Sequence, residues 1–95
     1  MKKIRKMVCH IDGELEGACN YAEKKVIYKN TNPAWSKMYG DMAAQELVHA
    51  DYLHKMGEEF MKDVSWIPEE DKEMWEKCGA ALAEKTALVK MMLAN

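Results

Sequence analysis

The sequence has little that bends or cross-links a chain: two prolines, five glycines and three cysteines in 95 residues. The cysteines, Cys9, Cys19 and Cys78, are odd in number and lack CxxC spacing, which argues against a disulfide framework and against a zinc-finger site. They are expected as reduced thiols filling small core spaces. Charge of one sign is also missing. A net charge of −2 with both signs interspersed leaves no basic face for nucleic acid and no patch for an acidic membrane surface. No apolar run approaches the length of a bilayer span. The basic start, Met1 to Lys6, leads into His10, Asp12 and Glu14 rather than into the apolar core of a signal peptide, so a cytoplasmic location is expected. There are no repeats, low-complexity stretches or linkers.

Strand-type alternation is absent too, and Ala, Glu, Lys, Leu and Met dominate, so the chain reads as all-α. Hydrophobic content of 48% in so short a chain fits one domain, 1–95, that alone would bury only roughly 60–65% of its unfolded surface; self-association is therefore expected. Ile4, Val8, Ile11, Leu15, Ala18, Ala22 and Val26 recur at steps of three and four and predict a helix over about 3–29. Asn32 can cap and Pro33 open a second helix, 33–62, in which Gly40 and Gly57 mark close packing or a bend. The pattern breaks over 63–68, and Glu69, Glu70 and Asp71 give a third helix, 69–93, the acidic first turn that its dipole favours. Its expected inward positions are Met74, Cys78, Ala81, Leu82, Leu88, Val89 and Met92.

The second helix carries two rows at seven-residue spacing, Trp35, Met42, His49, Met56 and Tyr39, Glu46, Leu53, Phe60. Read as its apolar stripe, they place Glu46 and His49 facing inward. Burying an acid and an imidazole is costly unless they are hydrogen-bonded or ligate a cation, and Glu-x-x-His on one helical face is half of the signature of carboxylate-bridged di-metal bundles. The competing reading is a simple ion pair. A short loop makes the first two helices antiparallel neighbours. With the turn at about residue 31, Glu14 lies seventeen positions before it and Glu46 and His49 fifteen and eighteen after, so all three share one level. Two carboxylates and one imidazole are half the set that a di-iron or di-manganese bundle requires; a two-fold dimer supplies the whole. Hard carboxylate oxygens bridge cations and imidazole completes a site suited to iron, with manganese and zinc compatible with the same donors. Tyr21, seven residues after Glu14, is placed to hydrogen-bond behind the metals or to act as a redox-active phenol. Glu16 is placed to hold an incoming cation at the mouth of the site. His10, one turn before Glu14, reads as an ordinary surface histidine, with assistance to metal entry as the alternative, and His54 is turned to another face. The nine methionines read as adaptable core and interface filler rather than a copper or haem site.

On Glu14-Leu15-Glu16, Tyr21 and Glu46-Leu47-Val48-His49, over roughly two thirds of its length, the chain resembles the ferritin-like superfamily, and within it the short half-bundle members typified by encapsulated ferritins. The resemblance implies Glu14, Glu46 and His49 as ferroxidase ligands, Tyr21 beside the site and Glu16 near the path of incoming metal. It also implies a helical hairpin plus a third helix that complete a four-helix bundle by homodimerisation, with a ring of dimers as a further assembly. Gly13 departs from the acidic residue that the family often places before the first ligand. Leu88 to Asn95 lacks the family's encapsulin-targeting extension, so no shell partner is expected. The expected activity is oxidation of Fe(II) at a shared di-iron site. A rubrerythrin-like peroxidase, a di-manganese catalase-like activity and a non-catalytic helical assembly module with a structural metal are the alternatives.

Overall fold

The computed structural model describes Met1–Asn95 and contains three helices and no strand: α1 (Lys2–Tyr28), α2 (Pro33–Lys62) and α3 (Glu69–Leu93). All three boundaries fall within one residue of those read from the sequence. Asn32 caps α2, its side chain accepting a hydrogen bond from the Trp35 backbone N–H at 3.2 Å, and Pro33 occupies the first turn, where its missing N–H costs nothing. Helix α2 runs unbroken through Gly40 and Gly57, both buried. No helix is long and apolar enough to cross a membrane.

Helices α1 and α2 form an antiparallel hairpin, and α3 returns alongside α1 to give an elongated body of 53 × 17 × 16 Å. The direction of α3 is fixed at both ends. At one end the α-amine of Met1 and the Arg5 guanidinium pair with Asp71, a carboxylate without solvent exposure in the first turn of α3. At the other end Lys25 Nζ donates to the Asn95 carbonyl at 3.0 Å. The core lies between the three helices, built on Ile4, Ile11, Leu15, Ala18 and Ala22 of α1, Ala43, Leu47 and Ala50 of α2, and Ile67, Trp75, Cys78 and Val89. Each fully buried Ile, Leu or Val contributes about 1.5–3 kcal/mol. No buried side-chain polar atom lacks a partner; Ser36 Oγ, for instance, donates to the Lys25 carbonyl at 2.8 Å.

Four expectations need correction. On α1 the predicted row is buried except at Val8, which is half-buried, and at Val26, which is exposed. On α2 the packed stripe is a different one. Ser36, Ala43, Ala50 and Gly57, again seven apart, are buried together with Gly40 and Leu47, while Trp35 and Met56 are 51% and 54% exposed. The reason is size: a row of small residues lets the backbones of α1 and α2 approach, whereas a row with Trp35 and two methionines would hold them apart. The Tyr39, Glu46, Leu53, Phe60 row stands about 60° round the helix from the small row and is half-buried along its length. On α3, Asp71 and Trp75 are buried, and Leu88, expected inside, is exposed. The thiols also differ from the uniform expectation: Cys78 is buried, Cys19 half-buried and Cys9 exposed. Burial, with the Asp12 carboxylate adding to it, pushes the Cys78 thiol up to about 11, which leaves it an inert core group.

Candidate metal centre

Glu14 reaches from α1, and Glu46 and His49 from α2, into a cluster at the edge of the hairpin seam. One ligand atom from each lies within 4.8 Å of the others. His49 Nδ1 is 3.4 Å from Glu14 Oε2 and 3.9 Å from Glu46 Oε1. The level match along the antiparallel pair therefore holds. The inward direction does not hold for all three: the side chains of Glu14 and Glu46 are 17% and 25% exposed, but that of His49 is 56% exposed. His49 sits in the outer row that the small-residue seam turns toward solvent, so the cluster is walled by α1 and α2 on one side and open on the other. A shallow groove of about 260 Å³ lined by His10, Glu14, His49, Tyr52 and Leu53 leads to it.

Close approach of the two carboxylates has an electrostatic consequence. Hydrogen bonding to Glu46 holds the Glu14 carboxyl below its ordinary value, against the opposing effect of burial and with help from His49. Hydrogen bonding to Glu14, followed by burial and by the charge of Glu14, raises that of Glu46. The pair behaves as two acids competing for one proton, which lowers the one and raises the other. Neither carboxylate has a lysine or arginine partner; their ion pairs are with His49 and, for Glu14, with His10 at 3.4 Å. Such an excess of hard oxygen acceptors beside an imidazole could hold a divalent cation.

Tyr21 is half-buried and stacks on Tyr39, with ring centroids 6.1 Å apart. Glu16 is exposed and is not among the grouped ligands. His10 is exposed, as a surface histidine should be, and its Nε2 stands 3.4 Å from Glu14 Oε1. Gly17 escaped the sequence reading altogether: a Cβ there would come within 2.9 Å of Glu46 Oε2, so the missing side chain makes room for the carboxylate. Its only sequence signal is a glycine inside a strongly helical run, one turn after Glu14, where helix propensity disfavours it.

Fold and site together define an all-helical chain that presents a carboxylate–imidazole cluster at the open edge of a helical hairpin. The chain matches no protein-family model, no curated protein and no solved structure.

Proposed function

We propose that two copies of this chain pair across the open edge of the α1–α2 hairpin, and that their joined Glu14, Glu46 and His49 side chains bind and oxidise Fe(II). The observation that carries this reading is the convergence of two acids and an imidazole from two helices on an open face. Half-buried Met42 and Leu53 and exposed Met56 flank that face and favour a protein surface over water as its cover. A two-fold dimer brings four carboxylates and two imidazoles together, the set that holds two irons in carboxylate bundles. Glu14 and Glu46 would hold and bridge the ions, and His49 would complete the donor set of each. Iron is here the substrate. Two Fe(II) give two electrons to one dioxygen, which takes two protons and leaves as hydrogen peroxide; two further Fe(II), with two protons, reduce that peroxide to two waters. Glu46, whose carboxyl holds its proton more tightly than usual, releases that proton when a cation enters.

An anaerobic Fe(II) titration of metal-free protein tests the reading. About one iron per chain at saturation, lost in Glu46→Ala while sedimentation still reports the dimer, is the expected result. Absence of saturable binding in the wild type would sink the proposal. Loss of the dimer together with the metal in Glu46→Ala would instead make the metal a structural staple of an assembly module.

A further inference from the structure

The rows that bring Glu14 and Glu46 together continue beyond them as aromatic rings. Tyr21 stands seven residues after Glu14 and Tyr39 seven before Glu46, so the two phenols face each other two turns, roughly 10 Å, along the hairpin from the acids. Their rings stack at 6.1 Å and 22°. Tyr39 stacks in turn on Tyr28 at 5.8 Å and 14°, and Tyr28 meets the edge of Trp35 at 5.3 Å and 84°. The result is one unbroken file of four oxidisable rings. It starts on the cluster's side of the seam and ends at an indole that is half exposed near the α1–α2 turn. Trp35 lies roughly 20 Å along α2 from His49, so it falls at the rim of a dimer centred on the cluster.

Tyr21 packs against the hydrophobic core at one end of the file, whereas Tyr39, Tyr28 and Trp35 lie outside it, and no hydrogen bond to another side chain ties down any of the three phenols. Phenol and indole are the side chains most readily oxidised by one electron without metal or thiol chemistry, and electronic coupling falls off exponentially with separation. A file of rings in near contact therefore passes charge over its length far faster than a single long step could.

We infer that Tyr21, Tyr39, Tyr28 and Trp35 form a one-electron relay between the Glu14–Glu46–His49 centre and the surface. The inference rests on the proposed function for the source of the oxidising equivalents, which is peroxide reacting at the centre when too little Fe(II) is bound to reduce it fully. In the first step Tyr21 gives one electron to the centre and its phenolic proton to water. An electron then moves from Tyr39 to Tyr21, from Tyr28 to Tyr39 and from Trp35 to Tyr28, each tyrosine regaining a proton as it is reduced. The indolyl radical left at Trp35 is returned to indole by a soluble one-electron reductant such as ascorbate or a thiolate. Net, one electron passes from that reductant to the peroxide-derived oxidant, with one proton taken from solvent, and the ligands Glu14, Glu46 and His49 are spared oxidation.

The ladder can be tested without metal. In metal-free protein carrying Trp66→Phe and Tyr52→Phe to remove the other exposed oxidisable rings, flash photolysis with a ruthenium tris-bipyridine photo-oxidant generates the indolyl radical at Trp35. The expected result is a decay of the indolyl band matched by growth of a phenoxyl band at a rate independent of protein concentration. That rate should fall by at least an order of magnitude in Tyr28→Phe, which keeps the ring and removes only the hydroxyl. An unchanged rate in Tyr28→Phe, or transfer that occurs only between molecules, overturns the relay. The link to the centre is read in the Fe(II)-loaded protein mixed with excess peroxide: oxidation of Trp35, quantified by peptide mass spectrometry, should drop sharply in Tyr39→Phe and build up at Tyr21. Equal oxidation of Trp35 in both proteins means direct attack from solvent and overturns the link. Saturable iron binding without conduction rejects the relay alone, whereas conduction in a chain that binds no iron rejects the proposed function and the link with it.

Discussion

Helix α2 carries two histidine–glutamate pairs less than four turns apart from end to end, Glu46 with His49 and His54 with Glu58, and their surroundings differ in kind. Around the second pair the carboxylate meets complementary donors. Glu58 Oε1 accepts from Trp75 Nε1 at 2.8 Å and lies 3.6 Å from His54 Nε2, while the His54 ring lies flat on the Trp75 indole, 4.8 Å between centroids and 6° between planes. Gly57 leaves the space that the indole fills, and α3 is thereby locked to α2. Around the first pair there is no such complement. Glu46 faces a second carboxylate, Glu14, and the imidazole beside them is open to solvent. Spacing along one helix is nearly the same in the two cases; what distinguishes a satisfied structural pair from a cluster with unmet acceptors is the chemistry that the neighbouring helix brings.

The sharpest way to break the comparison is at Trp75. Trp75→Ala removes a buried indole and is expected to cost about 3–5 kcal/mol, read as a lower melting temperature and denaturation midpoint. Gly57→Ala, which would drive a methyl group into the same ring, should cost about 1–3 kcal/mol by overpacking. Iron binding by either variant, measured where it remains folded, should match the wild type, because the Trp75 pocket does not touch the Glu14 cluster.

Exchanging the histidines comes next. His49→Ala should weaken iron binding at least tenfold and leave the melting temperature within about 0.5 kcal/mol of wild-type stability, as expected for an exposed side chain. His54→Ala should do the reverse, with unchanged iron stoichiometry and a loss of about 1 kcal/mol from the lost stacking and the lost Glu58 contact. If both histidine variants lost metal and stability in the same proportion, the distinction between the two pairs would fail.

A smaller effect is expected at Gly17. Gly17→Ala improves helix propensity by up to about 1 kcal/mol, yet the new methyl displaces the Glu46 carboxylate from its place against α1. Thermal stability should hold or rise while iron affinity falls several-fold, a combination that a purely structural role for Gly17 would not produce.

The smallest effect is the dependence on pH of the metal-free protein. The Glu46 carboxyl is raised above its ordinary value, chiefly by its hydrogen bond to Glu14, so its contribution to stability is complete below about pH 4, the unfolded carboxylate range, and is lost as pH rises through the folded value. Glu14 is lowered, and its contribution runs the other way, present above the ordinary range and lost as pH falls through its folded value. Glutamine at position 46 keeps a donor to Glu14 at every pH. Glu46→Gln should therefore melt higher than wild type near pH 7 and level with it near pH 4. A difference that does not change with pH would mean that the two carboxylates do not share a proton.

Much of this molecule was legible in its sequence because helix boundaries are local physics. Asn32-Pro33 and Pro68-Glu69-Glu70-Asp71 announce helix starts through capping and dipole, and the three elements fall where those signals put them. The level match of Glu14 with Glu46 and His49 was legible as well, since a tight turn and a fixed rise per residue leave no other register for an antiparallel pair. Which face of α2 turns inward was not. The large apolar row and the small row have the same period, and only the approach of α1 decides between them, favouring Ser36, Ala43, Ala50 and Gly57 because small side chains let the backbones close. That choice turned His49 outward, set Glu46 against Glu14 and Gly17, and lined up the four aromatic rings. The sequence by itself determined three helices, their ends and the height of the acidic cluster; the tertiary structure alone decided how far each helix rotates about its axis, because rotation is fixed by packing against a neighbour and not by any signal within the helix.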